Sequence, residues 1–279
     1  MNRRQWVSLV MLLLGVGLWT GWRVPDPAGA ETVIKIGGTG SALGAMKQLV
    51  EAFAQDHPDV KVQILPSLGS SAGIKAVLNG GLALALTSRP LTESERRQGA
   101  VEVEYARSPL VFVTNGMVDQ KDLTTPELEA IYSGRMSKWS DGSRIRLILR
   151  PEKDIDTQLV RGISPGLKQA VKALLARPGM IVPITDQESS AAVANTPGAL
   201  GWATLSDIRC NNWPVHVLTF NGVQPSVKAI AEGSYPLAKS LYLVTTPKTP
   251  TAARQFADFV MSPAGRTILM KTDNLVPES

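Results

Sequence analysis

The chain is poor in the residues that usually carry redox and metal chemistry: it has one cysteine, Cys210, and two histidines, His57 and His216, in 279 residues. A single thiol excludes an internal disulfide, so the fold must be held by its core, and Cys210 beside Trp213 reads as a partly buried packing residue. No His/Cys/Asp cluster has metal-ligand spacing, which implies no metal cofactor. Gly38-Thr39-Gly40 lacks the third glycine of a dinucleotide fingerprint, and no Gly-Lys-Ser/Thr phosphate loop occurs, which argues against nucleotide cofactors. Aromatic residues make up 5% of the chain and no basic run is interleaved with them, so nucleic acid is not an expected partner. There is no internal repeat and no low-complexity tract.

What is present begins at the N-terminus. Arg3 and Arg4 precede an apolar run from Trp6 to Trp22, and Ala28-Gly29-Ala30 follows, the layout of a secretory signal peptide cleaved after Ala30. The run is marginal against the about twenty residues a bilayer span needs, so a retained anchor stays as the alternative. Removing Arg3, Arg4, Arg23 and Asp26 lowers the formal net charge from +5 to +3. The mature chain is mildly basic, enough to help attract anions over a distance. About 250 residues suffice for one large domain or two lobes.

From Thr32 to about Arg107 strands and helices alternate: strand 33–36, helix 41–56, strand 60–65, helix 72–79, strand 82–87. This pattern predicts a parallel sheet covered on both faces. A strand follows at 110–115, then a helix opened by Thr124-Thr125-Pro126-Glu127, which combines a hydroxyl cap, an early proline and an early acid. Further on we expect a strand at 145–149, helices at 166–176 and 188–195, a strand at 241–245 and helices at 252–261 and 263–271. Two glycine-hydroxyl clusters sit where strands hand over to helices: Gly37-Gly38-Thr39-Gly40-Ser41 and Gly69-Ser70-Ser71-Ala72-Gly73. Small residues admit close backbone approach, hydroxyls donate hydrogen bonds, and the free N–H groups of a helix start favour negative charge. Two such loops in consecutive units can converge on one anion at the carboxyl ends of the strands.

Several stretches resemble the phosphate-binding periplasmic proteins of bacterial ABC importers, within the type II periplasmic binding-protein superfamily. They are the run from Thr124 to Trp139, Gly69-Ser70-Ser71-Ala72-Gly73, Ser88-Arg89-Pro90-Leu91, Pro197-Gly198-Ala199-Leu200-Gly201-Trp202 and Tyr235-Pro236-Leu237-Ala238. The resemblance implies a two-lobed α/β fold with a hinge near Arg107–Leu110 and Lys239–Leu241. Residues 31–108 plus 246–279 would form the first lobe and 109–245 the second. By the same resemblance Thr39, Gly40 and Ser41 match the first ligand loop, Ser70 and Ser71 the second and Ser88 the third, while Arg150 and Thr157 open and close the second lobe's motif. It further implies a periplasmic monomer, not an enzyme, that captures phosphate or a similar oxyanion for an inner-membrane ABC permease.

The chain departs from that family at two points. Arg89 follows Ser88 where the family has an aspartate, and Ile155-Asp156-Thr157 stands where it has Ser-Gly-Thr. Hydrogen phosphate has a proton to donate and sulfate has none, so a carboxylate acceptor favours phosphate; Asp156 is the candidate for that role. Arg89 is either a direct ligand or an ion-paired residue beside Pro90. Alternatives are a binder or sensor of another anion or organophosphate and, in another class, a serine hydrolase, because Gly69-Ser70-Ser71-Ala72-Gly73 also fits a nucleophile elbow. In that reading Ser71 would be the nucleophile, partnered by His216 and Asp207. Tyr132, Trp139 and Trp202 read as packing residues.

Overall fold

The computed structural model describes residues 32–278, so the predicted export segment at 1–30 lies outside the described residues. In chain order, β1 (Thr32–Gly38) leads through a 3-10 turn (Gly40–Ala42) into α1 (Leu43–Asp56), then β2 (Val60–Ile64), α2 (Ser70–Leu78), β3 (Leu84–Thr87), α3 (Glu93–Arg97) and the long β4 (Val101–Asn115). There follow β5 (Asp122–Leu123), α4 (Thr125–Tyr132), β6 (Arg146–Leu147), α5 (Ile155–Gly162), α6 (Pro165–Leu175) and α7 (Asp186–Asn195). Next come β7 (Ala199–Thr204), α8 (Leu205–Asn211), β8 (Val215–Val217), β9 (Thr219–Phe220) and α9 (Val227–Ala231). β10 (Ala238–Thr245), α10 (Thr251–Met261) and α11 (Pro263–Lys271) complete the described elements.

Local chemistry accounts for many of these boundaries. Thr92, Thr124 and Thr185 each accept from a backbone N–H three residues on, and Glu95, Glu127 and Glu188 reach back to close capping boxes at α3, α4 and α7. In α1, Leu43, Met46, Leu49 and Phe53 recur at helical spacing and form its buried stripe. Phe53 is fully buried and meets Phe256 and Phe259 edge-on at 5.3 and 5.5 Å.

β1 pairs in parallel with β2 and β3, whereas β10 runs antiparallel between β3 and β4. The sheet over the first part of the chain is therefore mixed, not parallel throughout, because the returning β10 supplies the strand that a purely local reading cannot see. β4 starts at Val101 and not at Leu110: its first part pairs with β10 and its second part, Leu110–Thr114, pairs with β7. The predicted strand at 145–149 narrows to Arg146–Leu147, since only that stretch keeps a ladder with β7. The helix predicted from 72 starts at Ser70, and that predicted from 188 starts at Asp186, each moved toward its own capping position.

The buried apolar residues fall into two groups that β4 and β10 separate. One group, including Phe112, Tyr132, Trp139, Trp202, Phe220 and Tyr235, draws only on residues between Leu110 and Leu237. The other includes Ile36, Phe53, Tyr105, Leu243 and Phe256 on one face of the first sheet, with Ile74, Val77 and Val244 on the opposite face. Tyr132 and Trp202 stack at 6.2 Å within the first group, as packing residues. Where β4 and β10 cross between the groups, Ser108 lies opposite Lys239 and Pro109 opposite Ala238.

Candidate functional site

Gly38 ties three loops together. Its φ of 146° and the Leu86 carbonyl oxygen 1.9 Å from where a Cβ would stand admit glycine alone. The Gly38 carbonyl accepts from the N–H groups of Leu68 and Gly69, and Thr39 N–H donates to Leu86 O at 2.8 Å. Gly73 completes the junction, since a Cβ there would lie 2.9 Å from Gly38 Cα. The ends of β1, β2 and β3 are thereby drawn to one point.

At that point four hydroxyls form a chain. Ser41 Oγ lies 3.0 Å from Thr39 Oγ1, Thr39 Oγ1 donates to Ser88 Oγ at 3.4 Å, and Ser88 Oγ lies 3.1 Å from Ser70 Oγ. Ser88 N–H also donates to Ser70 Oγ at 2.9 Å. The N-cap of α2 is Gly69, with no side-chain capping bond, so Ser70 is not serving as the cap. Thr39, Ser41 and Ser88 are buried. Of the seven residues singled out in the first three loops, these four converge, Gly40 faces the groups of the other core, and Ser71 and Arg89 stay outside. Ser71 is exposed, and Arg89 donates to it at 3.2 Å while gripping Glu95 through two bonds of 2.9 and 2.7 Å. That grip, together with the bonds from Thr92, holds the Glu95 carboxyl at about 2 against its partial burial. Arg89 is thus an ion-paired residue rather than one turned toward the hydroxyl chain.

A second set of groups comes from the other core. Arg150, in the loop between β6 and α5, is buried; its Nη2 donates to Asp154 Oδ2 at 2.8 Å and lies 3.7 Å from Asp186 Oδ2. Its Nε and Nη1 are buried without a hydrogen-bond partner. Asp154 also caps α5, accepting from Asp156 N–H, and Thr157 Oγ1 donates to the Arg150 carbonyl. Asp156 is paired at 2.7 Å with Lys239 Nζ, which also donates to Asp186 Oδ1 at 2.9 Å. Three carboxylates therefore share two cations, with Asp156, Arg150 and Lys239 buried and Asp154 and Asp186 at the edge of the cluster. Burial pushes the Asp156 carboxyl up to about 6, with Asp154 and Asp186 adding to the rise and Lys239 opposing it. Burial raises Asp186 as well, but Lys239 and Arg150 outweigh it and hold that carboxyl at about 2.

The two sets meet at Gly40. A Cβ there would stand 2.3 Å from Gln187 Oε1 and 2.8 Å from Asp186 Oδ2, and Gln187 Nε2 donates to the Gly40 carbonyl at 2.9 Å. Nearby, a Cβ on Gly44 of α1 would stand 2.5 Å from Cys210 Cβ of α8. Asp154, Asp186, Gln187 and Lys239 were not singled out from sequence. A lysine inside the apolar strand Ala238–Thr245 is the signal that would have found one of them.

The hydrolase constellation does not assemble. Asp207 accepts from Ser190, Asn211, Trp213 and Gln187, His216 Nδ1 lies 3.2 Å from the Val118 carbonyl oxygen, and the Ser71 hydroxyl accepts from Arg89.

Two α/β lobes joined by paired crossing strands, with the Gly40 loop of one packed against Asp186 and Gln187 of the other, define the class of two-lobed binding proteins. The model of the PBP superfamily domain matches residues 25–264, and the chain belongs to that superfamily, the periplasmic binding proteins. It is 24% identical over 247 residues to the phosphate-binding protein PstS of Borreliella burgdorferi, covering 86% of this chain and 88% of that one. It is 26% identical over 236 residues to PstS of Bacillus subtilis, covering 80% and 74%. Its fold is similar to that of a phosphate ABC transporter substrate-binding protein with bound phosphate from Clostridium perfringens, with a TM-score of 0.73 and 22% identity over 88% of this chain and all of that one.

Proposed function

We propose that this chain is an exported solute-binding protein that captures phosphate between its lobes and delivers it to an inner-membrane ABC permease, acting as a monomer. The lobes are assigned to residues 31–108 plus 246–279 and to 109–245, with β4 and β10 as the hinge. The observation that carries the reading is the buried pair of unpartnered Arg150 nitrogens, Nε and Nη1, in the cluster that packs against the loop bearing Thr39 and Ser41. The N–H groups on these two nitrogens point from different edges of the guanidinium and can each donate to an oxyanion, and the hydroxyls of Thr39, Ser41, Ser70 and Ser88 add donors around it. The relatives named for phosphate binding, and the neighbour with phosphate bound, support the same ligand.

Three carboxylates against two cations favour an anion that brings a proton of its own. Lys239 engages both Asp156 and Asp186, but Asp186 Oδ2 lies against the Gly40 loop, so Asp186 is the better placed acceptor. Hydrogen phosphate can donate to it and sulfate cannot. The test is calorimetry on protein stripped of ligand, comparing phosphate with sulfate. Phosphate binds selectively, Arg150→Ala weakens binding at least roughly hundredfold, and Asp186→Asn narrows the phosphate-to-sulfate ratio. An unchanged affinity in Arg150→Ala sinks the assignment of the cleft.

A further inference from the structure

A groove of about 580 Å³ lies between the C-terminal end of α4, β6 and the loop around Gly179. Its floor includes Ile131, Met136, Leu174 and Ile181, and Arg144, Arg146 and Arg177 line it with no acidic residue among the lining side chains. All three arginines are exposed. None of them forms an ion pair among the described residues; Arg146 donates instead to the Pro197 carbonyl. Most other arginines behave differently: Arg89, Arg96, Arg107, Arg150, Arg161 and Arg209 each hold a carboxylate. A groove that gathers unpaired guanidinium groups over an apolar floor carries an uncompensated positive potential next to surface that favours leaving water.

The backbone adds a direction. β6 is an edge strand, and Arg146 and Ile148 donate inward to Gly198 and Leu200. The N–H between them, that of Leu147, therefore points away from β7. The outer side of β6 is already bridged, Arg144 to Lys138 and Ile148 to Ile181, with Ile145 and Leu149 bonded to Ser137 and Ile181, so among the described residues the N–H of Leu147, a lining residue, is the backbone donor left toward the groove. None of Arg150, Asp154, Asp156, Asp186 and Lys239 lines the groove, which is separate from the cleft.

We propose that this groove docks an extended acidic segment of a partner protein, which accepts from the free N–H of Leu147, sets apolar side chains on Ile131 and Leu174 and places carboxylates against Arg144, Arg146 and Arg177. Alternate side chains of an extended segment point to opposite sides, which matches an apolar floor beneath a cationic rim.

The test is fluorescence anisotropy of a fluorescein-labelled peptide alternating Asp and Leu, titrated with the purified protein at two salt concentrations. Binding is expected, weakened by salt and weakened roughly tenfold or more in the double variant Arg144→Glu/Arg177→Glu, whose exposed positions leave thermal unfolding unchanged. Overturning results are binding that the double variant retains, equal binding of a Lys-Leu peptide, equal binding of free glutarate, or a preference for anionic phospholipid vesicles over the peptide.

Discussion

Lys239 stands at the centre of the cleft's charge balance, with a side chain about 1% exposed and two carboxylates within 2.9 Å. Removing one partner of such a cluster leaves a buried charge uncompensated, so Lys239→Met should cost about 3–5 kcal/mol by denaturant unfolding. The two aspartates respond to pH in opposite senses. Asp186, held at about 2, contributes stability that is present above the ordinary carboxylate range and is lost as pH falls from near 4 toward 2. Asp156, raised to about 6, binds its proton more tightly in the native state, so its contribution declines as pH rises from near 4 to 6. Asp156→Asn removes that decline: relative to the parent it should gain up to about 3 kcal/mol between pH 4 and pH 6, and an unfolding series across that window checks the sign. The hydroxyl residues were legible because glycine and serine at strand ends carry a local reason for being there. Lys239 and Asp186 were not, because their role arises from packing between segments far apart in sequence.

At the scale of elements, α7 shows how a short sequence signal aims a functional group. Thr185 and Glu188 form a capping box that fixes the first turn, and that turn holds Asp186 and Gln187 against the Gly40 loop. Thr185→Ala should lower stability by about 1 kcal/mol and also weaken phosphate binding, separating it from an equivalent cap loss at α4, Thr124→Ala, which should lower stability alone. Chemical unfolding and calorimetry on the two variants distinguish them. The capped helices α4, α6, α7 and α11 could be read from the chain to within a few residues, whereas α8 and α9, capped by Thr204 and Ser226, could not. The opening of β4 at Val101 could not, because Val101 and Val103 are exposed and gain their strand pairing from β10, which returns only near the end of the chain. Helix α5 escaped notice because its start, Asp154-Ile155-Asp156-Thr157, was read through its charged groups and not through the cap that Asp154 provides.

For the whole molecule, the two core groups share no buried apolar residue, and the strands that join them meet at Ser108 and Lys239. On the proposed hinge, opening leaves both cores intact and breaks the contacts at Gly40 and Gly44 together with those that tie α8 to the C-terminal segment, Asn274 to Ser206 and Arg209 to Asp273. Gly44→Ala tests this directly: alanine suits a helix better than glycine by about 1 kcal/mol, but its methyl group collides with Cys210 when the lobes are together. The expected outcome is unchanged or higher thermal stability with weaker ligand binding. The same seam gives the chain a chemical clock of its own. Cys210, half-buried and the single thiol in the sequence, sits behind Gly44 and within 3.9 Å of Gln48. Its rate of reaction with an aromatic disulfide reagent should therefore slow when phosphate is added, so that closure can be timed by absorbance in the unmodified protein, with no label introduced.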